Sequence, residues 1–135
     1  PLAPRPKWLA EGGKGIANVE PLCWSLSVRQ WIVFVRACVA TDTWKALVKT
    51  KGEYNITMYD MKDHFVVPWT RGTGCSIALL MNQDPTKVEL MVSHAWGGSV
   101  CESYNCLQNL VNHGGVKSET SIFFCTLSMY QPEDE

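Results

Sequence analysis

The sequence predicts a small α/β domain, and two strand-like segments separated by a helical pattern carry that prediction. The first strand, Val88–His94, is short and mostly apolar, and the second, Ser121–Leu127, is almost continuously apolar. Between them, Ser99 begins a helix long enough for a right-handed crossover, so the two strands should be parallel. Residues 88–127 are therefore expected to form a βαβ unit, with Val88–His94 as the central strand of a small parallel sheet.

Length, composition and charge exclude several classes of protein. A chain of 135 residues is most simply one domain, and 46% apolar with 19% charged residues is typical of a globular protein. The formal net charge is −1, so no basic field recruits nucleic acid, and we expect no nucleic-acid partner. No apolar run approaches the roughly 20 residues that cross a bilayer, so we expect no transmembrane segment.

The composition divides the chain into an arm and one domain. Residues 1–21 are rich in proline and glycine, which predicts an extended N-terminal arm, and Trp8 is suited to contact the body of the protein or a neighbour. A single α/β domain should span 22–135, with a helical part over 22–82 and the βαβ part over 86–128.

Two helices are predicted at the start of the helical part. Ser27 and Gln30 form a capping-box pattern, in which the serine caps a helix and the glutamine lies at its third position. Apolar residues then recur at the spacing of one helix face: Val28, Trp31, Ile32, Val35 and Val39. A shorter helix should follow over Asp42–Lys49, with Gly52 as its stop.

Two more helices should precede the first strand of the βαβ unit. Thr57 is suited to cap a helix over Met58–Val66, and Pro68 should end it, because the residue before a proline avoids helical geometry. Trp69–Gly74 is then a turn or loop. Cys75–Met81 is predicted as a short helix, since alanine, leucine and methionine favour helices.

The helix of the βαβ unit has its own start and stop signals. Ser99 and Glu102 form a second capping-box pattern, and the helix should run to about His113, where Gly114 and Gly115 stop it. The chain closes on an acidic end, Gln131–Glu135, with no apolar residue to pack.

The candidate ligand site lies just after the first strand. In open α/β sheets ligands gather beyond the carboxyl ends of strands, where Ser93, His94, Trp96, Gly97 and Gly98 would lie. His94 is suited to act as a general base or to orient a ligand, or alternatively to be a hydrogen-bonded structural histidine. Gly97 and Gly98 before a helix are suited to an anion pocket, or alternatively to a tight turn.

Six scattered cysteines indicate reduced, mostly buried thiols in an intracellular compartment, either the cytoplasm or an organelle after processing. Their even number leaves a disulfide framework open. Cys101 falls in the first turn of its helix, where the helix dipole favours thiolate, so it is either a reactive thiol or a packing residue. The spacings of cysteines and histidines match no common zinc pattern, and we expect no metal site.

The run MVSHAWGG, followed by a helix and the segment SIFFCTLSMYQPEDE, resembles a TIR-like domain family of algal and other protist proteins, where TIR denotes Toll/interleukin-1 receptor homology. In that family a strand that ends in Ser-His-x-Trp leads into a helix, and the next strand carries an aromatic-rich segment and then a glutamine. The matching residues are Ser93, His94, Trp96, Phe123, Phe124, Cys125 and Gln131. The upstream stretch NITMYDMKDHFVVPWTRGTGCSIALLMN is also similar, so the resemblance covers roughly 55–135.

The resemblance implies a sheet of the TIR or flavodoxin-like type, which has roughly five parallel strands, so only the front half of that fold is present. The glutamate that acts in NAD-cleaving TIR domains lies later in the fold, so no residue here is assigned that role, and no complete catalytic set is visible in the sequence. We therefore expect a non-catalytic TIR-like interaction module or an accessory subunit, without a cofactor. One alternative is the front half of a nucleotide-binding or NAD-cleaving enzyme, with NAD as cofactor, and another is a cysteine-based redox protein that acts through Cys101.

Protein partners are expected, because a short sheet with an open edge is a template for pairing with another strand. A net charge near zero gives little repulsion against association. Trp8, Trp69 and the strand edge are the expected contacts, either with more of the same polypeptide or with other subunits of an assembly.

Overall fold

The computed structural model describes residues 3–133, so Pro1 and Leu2 of the arm and Asp134 and Glu135 of the acidic end lie outside the described residues. Within that range the strands are β1 (Leu26–Ser27), β2 (Leu90–Val92) and β3 (Ser121–Phe124). The α-helices are α1 (Val28–Val39), α2 (Asp42–Lys51), α3 (Met58–Met61), α4 (Val67–Thr70), α5 (Ile77–Met81), α6 (Val100–Asn112) and α7 (Cys125–Ser128). A π-helical turn, Lys62–Val66, joins α3 to α4, and 3₁₀ turns lie at Ile16–Asn18, Pro21–Cys23 and Glu53–Asn55. The chain is a small mixed helix-and-strand fold of the α/β class.

The strands form one mixed sheet in the order β1-β3-β2. β2 and β3 are parallel, with Leu90 opposite Ile122, and α6 connects them, which confirms the predicted βαβ unit. β1 pairs antiparallel with the other side of β3, with Leu26 opposite Ile122. The prediction that Val88–His94 is the central strand of a parallel sheet is therefore wrong. The extended residues just before α1 occupy the free side of β3, which makes β3 central.

The two faces of the sheet differ in burial. Ile122 and Phe124 on β3 are fully buried, and the ring of Phe124 lies 5.0 Å from the ring of Trp31 on α1, so α1 covers this face. Met91 on β2 is 71% exposed. The apolar run around Met91 had predicted a strand covered on both faces, and that prediction is wrong because β2 lies at an edge.

The first long helix forms as its sequence signals predict. Ser27 Oγ accepts a hydrogen bond from the N–H of Gln30 at 3.0 Å, and Gln30 Oε1 accepts one from the N–H of Ser27 at 2.9 Å. The amide of Gln30 also donates to the carbonyl of Met81 at 3.2 Å, which ties α1 to the end of α5. Val28 and Trp31 of the predicted face are buried, whereas Val39 at its end is exposed.

The helix that Thr57 caps does not end before Pro68, contrary to the prediction. It continues through the π-helical turn into α4, and the N–H of Val67 bonds to the carbonyl of Lys62, five residues back. Pro68 consequently falls in the first turn of α4, where a missing N–H costs little. Trp69, predicted in a loop, is instead helical and only 2% exposed, with its ring against those of Phe34 and Phe65.

Other boundaries differ by a few residues. The strand predicted over Ser121–Leu127 stops at Phe124, where the hydroxyl of Ser128 accepts a hydrogen bond from the N–H of Phe124 at 3.0 Å and α7 begins. The strand predicted over Val88–His94 is also shorter in the structure, where β2 covers only Leu90–Val92. The predicted helix over Cys75–Met81 is confirmed as α5, with Ser76 as its cap.

The N-terminal arm lies against the body of the protein. Leu9 is 2% exposed, and the indole of Trp69 donates to the carbonyl of Ala3 at 3.1 Å. The guanidinium of Arg5 donates to the carbonyls of Leu9 at 2.7 Å and of Trp69 at 3.2 Å, and also to the carbonyl of Ala10. A single arginine therefore holds the arm and α4 together.

Candidate functional site

The segment between β2 and α6 is a tight turn, and only one of its two glycines must be glycine for the turn to form. The N–H of Gly98 donates to the carbonyl of Ala95 at 2.9 Å, which closes the turn. A Cβ on Gly98 would lie 2.9 Å from the oxygen of Ala95, closer than real Cβ atoms approach, whereas a Cβ on Gly97 would meet nothing within 4 Å. Gly98 is thus the structural glycine of the pair.

The turn binds the start of α3 through backbone hydrogen bonds. The N–H groups of Met58 and Tyr59 donate to the carbonyls of Gly98 and Trp96, both at 3.2 Å. On the other side, the N–H of Val100 donates to the carbonyl of Ile56 at 2.9 Å. The amides at these two helix starts are therefore largely used within the protein.

Hydrogen bonding at the start of α6 favours the tight-turn alternative over the anion pocket. Ser99 Oγ accepts a hydrogen bond from the N–H of Glu102 at 3.2 Å, which is the first half of the predicted capping box. The reciprocal bond from the side chain of Glu102 does not form, and this exposed carboxylate leaves negative charge at the helix start. A bound anion would face that charge.

His94 is held mainly by ring stacking. Its ring lies parallel to that of Phe124, with centroids 4.3 Å apart and 9° between the planes. Its Nε2 is 3.4 Å from the hydroxyl of the buried Thr126, and its Nδ1 is 3.5 Å from the carbonyl of Ala95. Burial lowers the pKa of His94, so the imidazole is neutral near pH 7. In the described part of the chain no carboxylate bonds to this ring, and the geometry fits the structural alternative.

Trp96 completes an aromatic cluster with residues that sequence reasoning did not connect to it. Its ring centroid lies 5.6 Å from that of His94 and 5.5 Å from that of Tyr59. We call Tyr59, His94, Trp96 and Phe124 the strand-end cluster. An antiparallel bridge between Thr57 and Ser99 brings Tyr59 there, and a contact so distant in sequence leaves no local pattern.

Ser93 is exposed beside the strand-end cluster. Among residues 3–133 its hydroxyl has no hydrogen-bond partner, and no base is positioned to take its proton. Nucleophilic catalysis needs an adjacent base that is itself oriented by a third group. The five predicted site residues are therefore neighbours around one turn.

Cys101 has the opposite titration behaviour from the one its position at a helix start predicts. Burial raises the pKa of the Cys101 thiol, and the negative charge of Glu53 raises it further. A thiol with a raised pKa is protonated near neutral pH and is a weak nucleophile. All six cysteines are free in the structure, but only Cys38 and Cys75 are buried, so the prediction of buried thiols is wrong for the other four.

The two predicted interface tryptophans lie in different environments. Trp69 belongs to the core, so its ring is not available to a partner. Trp8 is 51% exposed and lines a groove of about 1010 Å³ between the arm and α2, which His64 also borders.

The outer edge of β2 is the most open part of the sheet. β2 has β3 as a neighbour on one side, and no described strand pairs with its other side. Leu90 and Met91 are exposed there, as is Leu22, whose carbonyl accepts a hydrogen bond from the N–H of Val88 at 2.8 Å. We call Leu22, Leu90 and Met91, together with the unpaired strand, the β2 edge.

Among residues 3–133, no group of three or more histidine, cysteine, aspartate or glutamate side chains is arranged to hold a metal ion. No helix in the same range is long and apolar enough to cross a membrane. No protein-family model, curated protein or solved structure matches this chain.

Proposed function

We propose that this chain is a non-catalytic interaction module of the TIR-like type, or an accessory subunit of a larger assembly, and that it binds an extended segment of a partner protein along the β2 edge. The observation that carries the proposal is the unpaired side of β2 with exposed Leu90 and Met91 beside it.

An extended segment is the occupant that the chemistry of this edge favours. An unpaired strand presents backbone N–H and C=O groups in a row, and another strand satisfies them in register. Alternate side chains of that strand would lie on the same face of the sheet as Met91, so apolar residues at every second position would add affinity.

Natural proteins guard open edges with charges; here the charged residues Lys87 and Glu89 precede β2, and β2 itself carries none. Glu89 is the nearest acidic residue, but its carboxylate accepts a hydrogen bond from the N–H of Ser121 at 3.2 Å. That bond turns the charge toward β3 and away from the outer side of β2. The three residues of β2 are themselves apolar.

The TIR-like part of the proposal is supported by the parallel pair of β2 and β3 with α6 between them, and by Ser93, His94 and Trp96 at the end of β2. The antiparallel β1 departs from an all-parallel sheet. The expected assembly, protein partners and intracellular location belong to this proposal.

A peptide library tests the β2 edge directly. We expect a library of random ten-residue peptides displayed on phage to enrich sequences with alternating apolar residues. Those peptides should shift the backbone amide resonances of Leu90–Val92 in NMR spectra. Met91→Lys should abolish binding, because it places a desolvated charge against the apolar partner.

Val33→Lys is the matched control, since Val33 is also an exposed apolar residue but lies on α1. Peptides that bind Met91→Lys and the unchanged chain equally, or an enriched set whose shifts map away from β2, would overturn the β2-edge proposal.

The enzymatic alternative has a separate test. Incubation of the chain with NAD, followed by chromatography for nicotinamide, should yield none beyond the blank. If the chain releases nicotinamide and His94→Ala does not, the hypothesis of an NAD-cleaving enzyme holds and the proposal of a non-catalytic module is wrong.

A further inference from the structure

A cavity of about 330 Å³ lies between the last turn of α1, the 3₁₀ turn Glu53–Asn55 and the first turns of α6. Its volume is at the lower end of the roughly 300–1,000 Å³ that small-molecule sites occupy. None of the residues that line this cavity belongs to the β2 edge or to the strand-end cluster.

One part of the cavity wall is apolar. Val35 and Val39 of α1 line it, and Cys101 of α6 adds a thiol that burial keeps protonated by raising its pKa. Such a wall favours a hydrocarbon group of a few carbon atoms over water.

The same cavity presents one positive and one negative side chain that do not pair with each other. Arg36 Nε donates to the hydroxyl of Tyr104 at 2.9 Å, which fixes the guanidinium at the rim. Its two terminal nitrogens have no protein partner in the described range, and Glu53 likewise forms no ion pair there. On the same helix, Arg29 by contrast pairs with Glu119 at 3.6 Å.

We propose that this cavity binds a small zwitterion with an apolar body, of the size of an aromatic or branched-chain amino acid. The carboxylate of the ligand accepts from the free guanidinium nitrogens of Arg36, and its ammonium donates to the carboxylate of Glu53. The apolar side chain of the ligand lies against Val35 and Val39. A ligand with only one of the two charges leaves either Arg36 or Glu53 without its partner.

Three probes with one common ring separate these contributions. L-phenylalanine carries both charges, 3-phenylpropanoate carries only the carboxylate, and 2-phenylethylamine carries only the ammonium. In NMR titrations we expect L-phenylalanine to bind about tenfold more tightly than either of the others, since each of those probes lacks one charge-assisted hydrogen bond. The shifted resonances should include the amides of Arg36, Glu53 and Cys101, and the indole of Trp31, whose ring lies 6.4 Å from that of Tyr104.

Substitutions of Arg36 and Glu53 test which charged group of the ligand each residue binds. Arg36→Met should weaken L-phenylalanine and 3-phenylpropanoate about tenfold and leave 2-phenylethylamine unchanged, whereas Glu53→Gln should weaken L-phenylalanine and 2-phenylethylamine. Arg29→Met is the control, because Arg29 is on the same helix but outside the cavity.

Three results would overturn the proposal. They are equal binding of the three probes, the absence of shifts at the cavity residues, and an equal loss in Arg29→Met. The comparison of probes uses the unchanged chain, so it decides the matter even if a variant fails to fold.

Discussion

The imidazole of His94 couples the stability of the protein to pH. Burial holds its pKa below the ordinary value of 6.5, so the unfolded chain binds the proton more readily than the folded one. The stability contributed by neutral His94 is therefore complete above about pH 6.5 and declines as the pH falls toward the lower folded pKa. Urea unfolding between about pH 7.5 and about pH 5 measures this slope.

His94→Phe should flatten the slope, because phenylalanine keeps a ring on Phe124 but does not titrate. The matched control is His113→Gln, at an exposed histidine after α6, which should retain the dependence of the unchanged chain. An unchanged slope in His94→Phe would contradict the assignment.

For His94, the sequence predicted its neighbours in the chain but not the residues from other elements that contact its ring. Ser93, His94 and Trp96 follow β2 directly, so their position at the strand end follows from strand order. The partners that decide the state of the imidazole, Phe124 and Thr126, come from β3 and α7. No pattern in the sequence near His94 encodes these contacts. If a carboxylate had packed against the ring instead, the sequence around His94 could have been the same.

The cap of α1 should be worth more than the cap of α6. Ser27 and Gln30 exchange both hydrogen bonds of a capping box, whereas Ser99 makes a single bond to the N–H of Glu102. Ser27→Ala should lower the free energy of unfolding by about 1–2 kcal/mol, and Ser99→Ala by about 0.5 kcal/mol. Thermal unfolding followed by circular dichroism compares the two variants, and a larger loss in Ser99→Ala would contradict this ranking.

Elements with local signals were the predictable ones. Caps at Ser27, Thr57 and Ser99 mark real helix starts, because a cap is a bond between near neighbours in sequence. Pro68 was misleading because the π-helical turn before it shifts the bonding by one residue. That shift depends on how Phe65 and Trp69 pack in the core, which is a tertiary effect.

At the scale of the whole molecule, sheet order was beyond prediction. β1 has two residues, too few to show any periodicity, yet its pairing moves β3 to the centre and leaves β2 at the edge. The α/β class followed from the apolar strands and the helix between them. The exposure of Met91, on which the β2-edge proposal depends, followed only from the order of the strands.

The N-terminal arm should behave as part of the folded domain. Leu9 is buried, while its neighbour Trp8 is half exposed, so two adjacent large residues form an internal comparison. Leu9→Ala should lower the free energy of unfolding by about 2 kcal/mol or more, because it leaves a cavity beneath the arm. Trp8→Ala should lower that free energy by less, because a half-exposed side chain leaves no enclosed cavity when it is removed. Urea unfolding followed by circular dichroism avoids the fluorescence lost with Trp8. If the two variants are equally stable, the arm is detached in solution and the contacts of Arg5 and Ala3 with Trp69 do not hold it to the body.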